Sequence, residues 1–285
     1  MVQSKLGVGN YASLSGFSWP TDASPNSGNI ADHKRHFMES IPFSDVNINM
    51  SSGSENSMIG LNGQLFTEAN LDSLKAQVKH TELDDEGEIT DYPQRLYFNS
   101  STKFFWVSGA SFTHTPSANN PTSWPYTMTL LCLMPFKFYD GTIASGTQVT
   151  TNTTATISGV GINNAGSAYV YPYFEIANNA GANITAIKIE ATGNSRGGDV
   201  NWSGTLESGK SIRIVQEYNP ELGQDGWTVY KYDTTDFTGD ATVIGGLSGN
   251  KAFLDPESDT NSFDFTLTGN NNTANVWAKF RERDY

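Results

Sequence analysis

The feature that most constrains this chain is a rhythm of short β-branched and aromatic runs, each bounded by Gly, Asn or Pro. Such runs suit a pleated, half-buried surface, and the bounding residues supply turn conformations, so the chain reads as all-β. RLYFNSSTKFFWVSGASFTH (Arg95–His114) reads as strand, polar turn over Asn99–Thr102, strand. PYTMTLLCLMPFKFYD (Pro125–Asp140) begins alternating and becomes nearly continuously apolar, the pattern of a central strand buried on both faces, with Pro135 interrupting it or marking a bend. After residue 156 come AYVYPYFEI, NITAIKIEATG, DVNWSGTLESGKSIRIVQEY and GWTVYKYD, strand candidates with Gly and Asn turns between them. That spacing predicts a β-sandwich or jelly-roll module. The tail NSFDFTLTGNNNTANVWAKFRERDY adds two more strands joined by a turn over Gly269–Asn272.

One stretch reads as a helix. In TEANLDSLKAQVKH, Thr67 suits an N-cap and Glu68 the positive end of the dipole. Leu71, Leu74 and Val78 form one apolar stripe, and Lys79 and His80 suit the C-terminal turn. The small, polar segment Gly141–Thr156 carries no aromatic residue and marks a boundary between two domains. The Asp- and Gly-rich stretch Thr234–Asn250 reads as a linker.

Charge then limits the partners. Across 285 residues, 17 Lys and Arg face 30 Asp and Glu, a formal net charge of −13. Nucleic acid and anionic membranes both need a positive surface, so neither is an expected partner. Aromatic residues at 12% are too many for a disordered chain. No apolar run approaches the ~18 residues needed to cross a bilayer, and the opening MVQSKLGVGNYASLSG lacks the apolar core of a secretory signal.

The candidate chemical groups are sparse. A single cysteine, Cys132, excludes an intrachain disulfide; within the apolar LLCLM run it reads as a core thiol with a raised pKa. His33 and His36 have a spacing that could share a metal on a helix, but no third ligand stands out although Asp32 and Glu39 are close by, so they read as a solvated loop or edge-strand cluster. His80 falls in the helix C-terminal turn and His114 in a loop beside Pro116. Six acidic groups crowd Glu82–Asp91. With Gly87 at the sixth position of a calcium loop, however, the twelfth is Pro93, which supplies no carboxylate, so this reads as an exposed acidic loop. GVGINNAG (Gly159–Gly166) precedes no helix and is no phosphate cradle. No G-x-S-x-G elbow occurs, and no acid, base or nucleophile stands in an apolar pocket context, so no catalytic residue, cofactor or metal is expected. Strand alternation puts Tyr169, Tyr171 and Tyr173 on one face. With Trp202 and Trp227 they could form a sugar-binding platform or pack against a neighbour. The residues therefore read as a structural or binding protein.

Two stretches resemble the distal tail protein of long-tailed, non-contractile phages. In the first, Tyr171, Pro172, Tyr173, Glu175 and Ile176 match an aromatic-Pro-aromatic strand, which in the family is followed by a paired strand and a hairpin. Gly204, Leu206, Gly209, Ile212 and Ile214 match that hairpin. The second stretch, VWAKFRERDY, is similar to the family's closing strand. The helix, Arg95–Phe98 and Trp124–Tyr126 follow in the expected order, and IVQEY departs from the aspartate that many members carry there.

The resemblance implies an all-β protein with one short helix. An N-terminal barrel or sandwich domain (1–145, completed by closing strands at about 260–285) would build a homohexameric ring. A jelly-roll or galectin-like sandwich (150–255) would project outward. The ring would join the distal end of the tail tube to the tip hub within the virion, after assembly in the host cytoplasm. Its partners would be further copies of itself, the tube and hub proteins, and in some cases a tape measure, receptor-binding or side-fibre protein. DNA would pass through a net acidic lumen. The competing reading is a carbohydrate-binding module or adhesin for host attachment.

Overall fold

The computed structural model describes residues 12–14, 24–31, 34–40, 47–54, 58–65, 67–72, 94–98, 102–114, 124–134, 136–146, 148–157, 162–269 and 273–284, up to residue 65 by the backbone alone. The chain divides into two compact units, residues 1–140 and 141–285. Among the described residues it is all-β with one short helix.

In the first unit the strands are β1 (Ala12–Leu14), β2 (Ser24–Ala31), β3 (Lys34–Ser40), β4 (Asn47–Ser54), β5 (Met58–Leu65), β6 (Gln94–Phe98), β7 (Lys103–His114), β8 (Trp124–Cys132) and β9 (Lys137–Tyr139). They form an antiparallel path β1-β6-β7-β8-β5-β2, with β9 also on β7 and β3 paired to β4. β6 and β7 pair through Tyr97↔Phe104 and Leu96↔Phe105 as the strand–turn–strand reading requires; residues 99–101 lie outside the described residues. β8 holds a central place between β5 and β7. It still alternates: Tyr126, Met128, Leu130 and Cys132 are buried while Thr127 is exposed, so its outer face is not covered there. His114 ends β7 opposite Tyr126, a strand position and not a loop.

The helix is described over residues 68–72. Asn70 N–H donates to Thr67 Oγ1 at 3.4 Å and Leu71 N–H to Thr67 O at 3.2 Å, so Thr67 is the N-cap and Leu71 faces inward, 2% exposed. Leu74, Val78, Lys79, His80, His33 and the acidic loop Glu82–Asp91 lie outside the described residues. His36 is placed on β3.

The second unit is a sandwich of two antiparallel sheets. Its strands are β10 (Ala144–Ser145), β11 (Val149–Thr151), β12 (Thr154–Ile157), β13 (Tyr173–Ala180), β14 (Ile184–Gly193), β15 (Arg196–Gly197), β16 (Val200–Leu206), β17 (Lys210–Val215), β18 (Thr228–Tyr232), β19 (Thr242–Ile244), β20 (Leu247–Gly249), β21 (Ala252–Phe253), β22 (Asn261–Thr268) and β23 (Thr273–Phe280). One sheet runs β10-β23-β13-β17-β18-β19, with β11 following β10 along the same edge of β23. The other runs β12-β22-β14-β16-β20. Counting β10 and β11 as one edge strand, β23 lies between it and β13, and β22 lies between β12 and β14, which is the strand order of a jelly roll.

β23 shows why these residues form this element. In TANVWAKF the alternation buries Ala274, Val276, Ala278 and Phe280 and turns Thr273, Asn275, Trp277 and Lys279 outward. Phe174 meets Phe263 and Phe265 edge-to-face across the sandwich, with centroids 5.1 and 5.5 Å apart.

This topology corrects four expectations. The strands at 261–268 and 273–280 do not complete the first unit; their apolar faces fill the jelly-roll core, and they pair with β14 and β13. The hairpin expected across Gly204–Ile214 is a crossing: β16 pairs with β14 and β20, whereas β17 pairs with β13 and β18. Likewise β13 and β14, and β22 and β23, belong to opposite sheets and are not paired with each other. The segment at 141–156 begins where the two units divide and holds β10, β11 and β12, and the stretch at 234–250 holds β19 and β20 and is no linker throughout. Edge strands bury fewer side chains, which is why these two segments lack a strong apolar signature.

Candidate functional site

The outer face of the sheet holding β13, β17, β18 and β23 is not left to solvent. Glu175 on β13 pairs in register with Arg213 on β17 and with Trp277 on β23, and Arg213 in turn with Tyr230 on β18, so these side chains share the outer face. Glu175 is 1% and Arg213 8% exposed. Arg213 donates from Nε and Nη2 to Glu175 Oε1 at 3.0 and 2.7 Å, and from Nη1 to Tyr232 Oη at 2.6 Å and Gln224 Oε1 at 3.3 Å. Lys279 Nζ lies 2.5 Å from Glu175 Oε2. A buried carboxylate is costly unless paired and hydrogen-bonded, and here two cations share one anion.

Rings enclose the guanidinium. Its Cζ is 5.5, 5.2 and 5.6 Å from the centroids of Tyr173, Tyr232 and Phe237. Phe237 reaches this position from a left-handed backbone, φ 60°, and its ring also meets Trp277 edge-to-face at 5.7 Å. Burial, aided by the Glu175 charge, pushes the Tyr173 phenol well above its ordinary value. With Glu175 held between Arg213 and Lys279 and every Arg213 nitrogen engaged, the cluster ties the covering loops to the sheet.

A second tie secures the C-terminal residues. Arg281 makes a forked pair with Glu221 at 2.8 and 3.0 Å and donates to Gly141 O at 2.7 Å. Arg283, 2% exposed, donates to Tyr169 O at 2.7 Å and Glu217 Oε1 at 2.6 Å. Burial pushes the Glu217 carboxyl upward against the pull of Arg283. Gln216, in the IVQEY segment, donates to Pro172 O and Ala252 O and accepts from Ala252 N–H, at 2.7, 2.9 and 2.7 Å. The sequence patterns gave no warning of either tie, because each joins residues far apart in the chain.

The structure separates the five aromatic residues singled out in the sequence. Trp202 is 2% exposed in the jelly-roll core, its Nε1–H donating to Gly245 O at 3.0 Å. Trp227, at φ 54°, is half-buried against the same core. Tyr173 is covered beneath the loops beside Val215, Tyr230 and Tyr232. Tyr169 and Tyr171 instead flank Phe253 edge-to-face, at 5.0 and 5.6 Å. The three tyrosines are not one platform, because β13 begins only at Tyr173. In the first unit, Cys132 is fully buried and its thiol is pushed up to about 12 by burial.

Cations are almost wholly consumed in the second unit, where nine Lys and Arg accompany sixteen Asp and Glu. Lys188, Arg196, Lys210, Arg213, Lys231, Lys279, Arg281 and Arg283 each lie in an ion pair. Lys251 sits over the Tyr171 ring at 5.5 Å. Among the described residues there is no cluster of three or more His, Cys, Asp or Glu suited to a metal, and no helix is long and apolar enough to cross a membrane.

No family model and no curated protein sequence matches the chain. Among solved structures, the Dit protein of phage SPP1, described as a paradigm of the hub adsorption apparatus in phages infecting Gram-positive bacteria, is similar at 12% identity and a TM-score of 0.48, over 96% of this chain and 98% of its own. A chain of the phage P2 baseplate in its activated conformation with Ca is similar at 7% identity and 0.45, over 97% and 98%. One from the same baseplate with Sr is similar at 7% identity and 0.35, over 90% of each chain.

Proposed function

We propose that this chain is a structural protein of a phage tail, without catalytic activity. In this reading six copies form a ring joining the distal end of the tail tube to the tip hub, and DNA passes through it. The observation that carries the reading is that the segments with the family resemblance are the framework of one jelly roll. Glu175 and Ile176 lie on β13 directly opposite Arg213 and Ile212 on β17. Leu206 closes β16, and Gly209, at φ 82°, turns the chain toward the other sheet with its N–H donated to Asn178 O at 2.7 Å.

The charge balance supports the same reading. Binding to DNA gains from the release of counterions by unpaired Lys and Arg. With 30 Asp and Glu against 17 Lys and Arg the chain carries acid in surplus, and an acidic wall repels phosphates and lets them slide past. Heterologous contacts between copies close into a ring when the rotation is right.

Electron microscopy of the purified chain, alone and mixed with the tube protein of the same phage, tests this. Six-fold rings in either sample support the proposal. Monomers in both samples contradict it.

A further inference from the structure

The segments around 169–171, 252–255 and 196–197 lie side by side. Val170 and Leu254 form an antiparallel bridge, and Arg196 pairs with Phe253 across β15 and β21. Alternation sends Val170, Ala252 and Leu254 into the core, at 3% exposure or less. It turns Tyr169, Tyr171, Lys251, Phe253, Asp255 and Arg196 to the opposite, outer face.

That face has a definite composition. Tyr169, 40% exposed, is the most exposed aromatic ring among the described residues, and with Tyr171 it flanks Phe253. On one side the exposed Arg196 pairs with Asp255, Nη2 to Oδ2 at 3.0 Å and Nε to Oδ2 at 3.2 Å. On the other side stands Lys251, over the Tyr171 ring, the one cation of the second unit for which no ion pair is seen among the described residues.

We propose that this face binds an acidic saccharide, one bearing carboxylate or phosphate groups. Ring faces take up the C–H side of a pyranose. A sugar hydroxyl both donates and accepts, and the Arg196–Asp255 pair offers an acceptor and a donor at fixed positions. Lys251 supplies the charge that favours an acidic sugar over a neutral one, which is notable on a protein whose overall charge repels anions. The pairing of Arg196 leaves Lys251 as the discriminating group. The site belongs to the second unit alone and stands whether or not the chain forms a ring.

The test uses the full chain on an array of matched neutral, carboxylate-bearing and phosphate-bearing oligosaccharides, followed by calorimetry on the best ligand. Acidic glycans are expected to bind at millimolar or tighter Kd and neutral counterparts more weakly; the array arms decide between carboxylate and phosphate. Tyr169→Ala is expected to weaken binding about tenfold. Lys251→Gln is expected to erase the preference for acidic over neutral sugars while leaving the neutral affinity unchanged. Both positions are at the surface, and circular dichroism verifies folding. Absence of binding to any glycan overturns the proposal. So does binding that survives both substitutions, or a change of oligomeric state in Tyr169→Ala, which would assign the face to another copy of the chain.

Discussion

Arg213 and Glu175 face each other across neighbouring strands, and their side chains meet 2.7 Å apart on a sheet face sealed from solvent. Glu175→Gln keeps the shape but leaves Arg213 and Lys279 without their anion. A loss of about 3 kcal/mol is expected in urea unfolding, because an uncompensated buried charge remains. The double variant Glu175→Leu/Arg213→Met is expected to lose at least about 1 kcal/mol less than the sum of its single variants. Strict additivity would contradict the buried pairing.

Much of this architecture was legible in the chain, and the reasons for the rest are local. Alternation in TANVWAKF, the strand–turn–strand at Arg95–His114, the Thr67 cap and the buried Cys132 each depend on neighbours within a few residues. Sheet assignment does not. The turn at Glu207–Gly209 looks the same whether the next strand pairs back or crosses the sandwich, and here it crosses. The Arg213 and Arg283 ties, and the meeting of Tyr169 with Phe253, join residues far apart in the chain, so no local pattern marks them.

Alkaline pH should unfold the protein. Burial raises Cys132 to about 12 and raises Tyr126 and Tyr173 further, so the folded state keeps protons that the unfolded chain releases. This contribution is fully present below the unfolded thiol value of about 8.5 and is lost as pH rises toward the folded values. The urea midpoint is therefore expected to fall steadily between pH 9 and about 12. At pH 8 Cys132 should label with a thiol reagent only after denaturation; rapid labelling of the native chain would contradict its burial.

Gly166 lies against the C-terminal residues, where an added Cβ would come within 2.2 Å of Arg283 O. Gly166→Ala is expected to displace Arg283 from Glu217 and Tyr169, speeding proteolysis of the C-terminus. Gly245→Ala, at a position with nothing within 4 Å, serves as the control. Equal proteolysis of the two would refute the tie.

Duplex DNA at about 50 mM salt should not be retarded by micromolar protein in a gel, since non-specific binding depends on unpaired cations. A salt-sensitive shift at that concentration would overturn the passive role proposed for the ring.

The central claim is a place in a particle. Immunogold labelling of intact virions with antibodies to this chain tests it most directly. The account predicts gold at the distal end of the tail, where the tube meets the tip. Label confined to the head or its connector, or particles lacking the chain altogether, would contradict it.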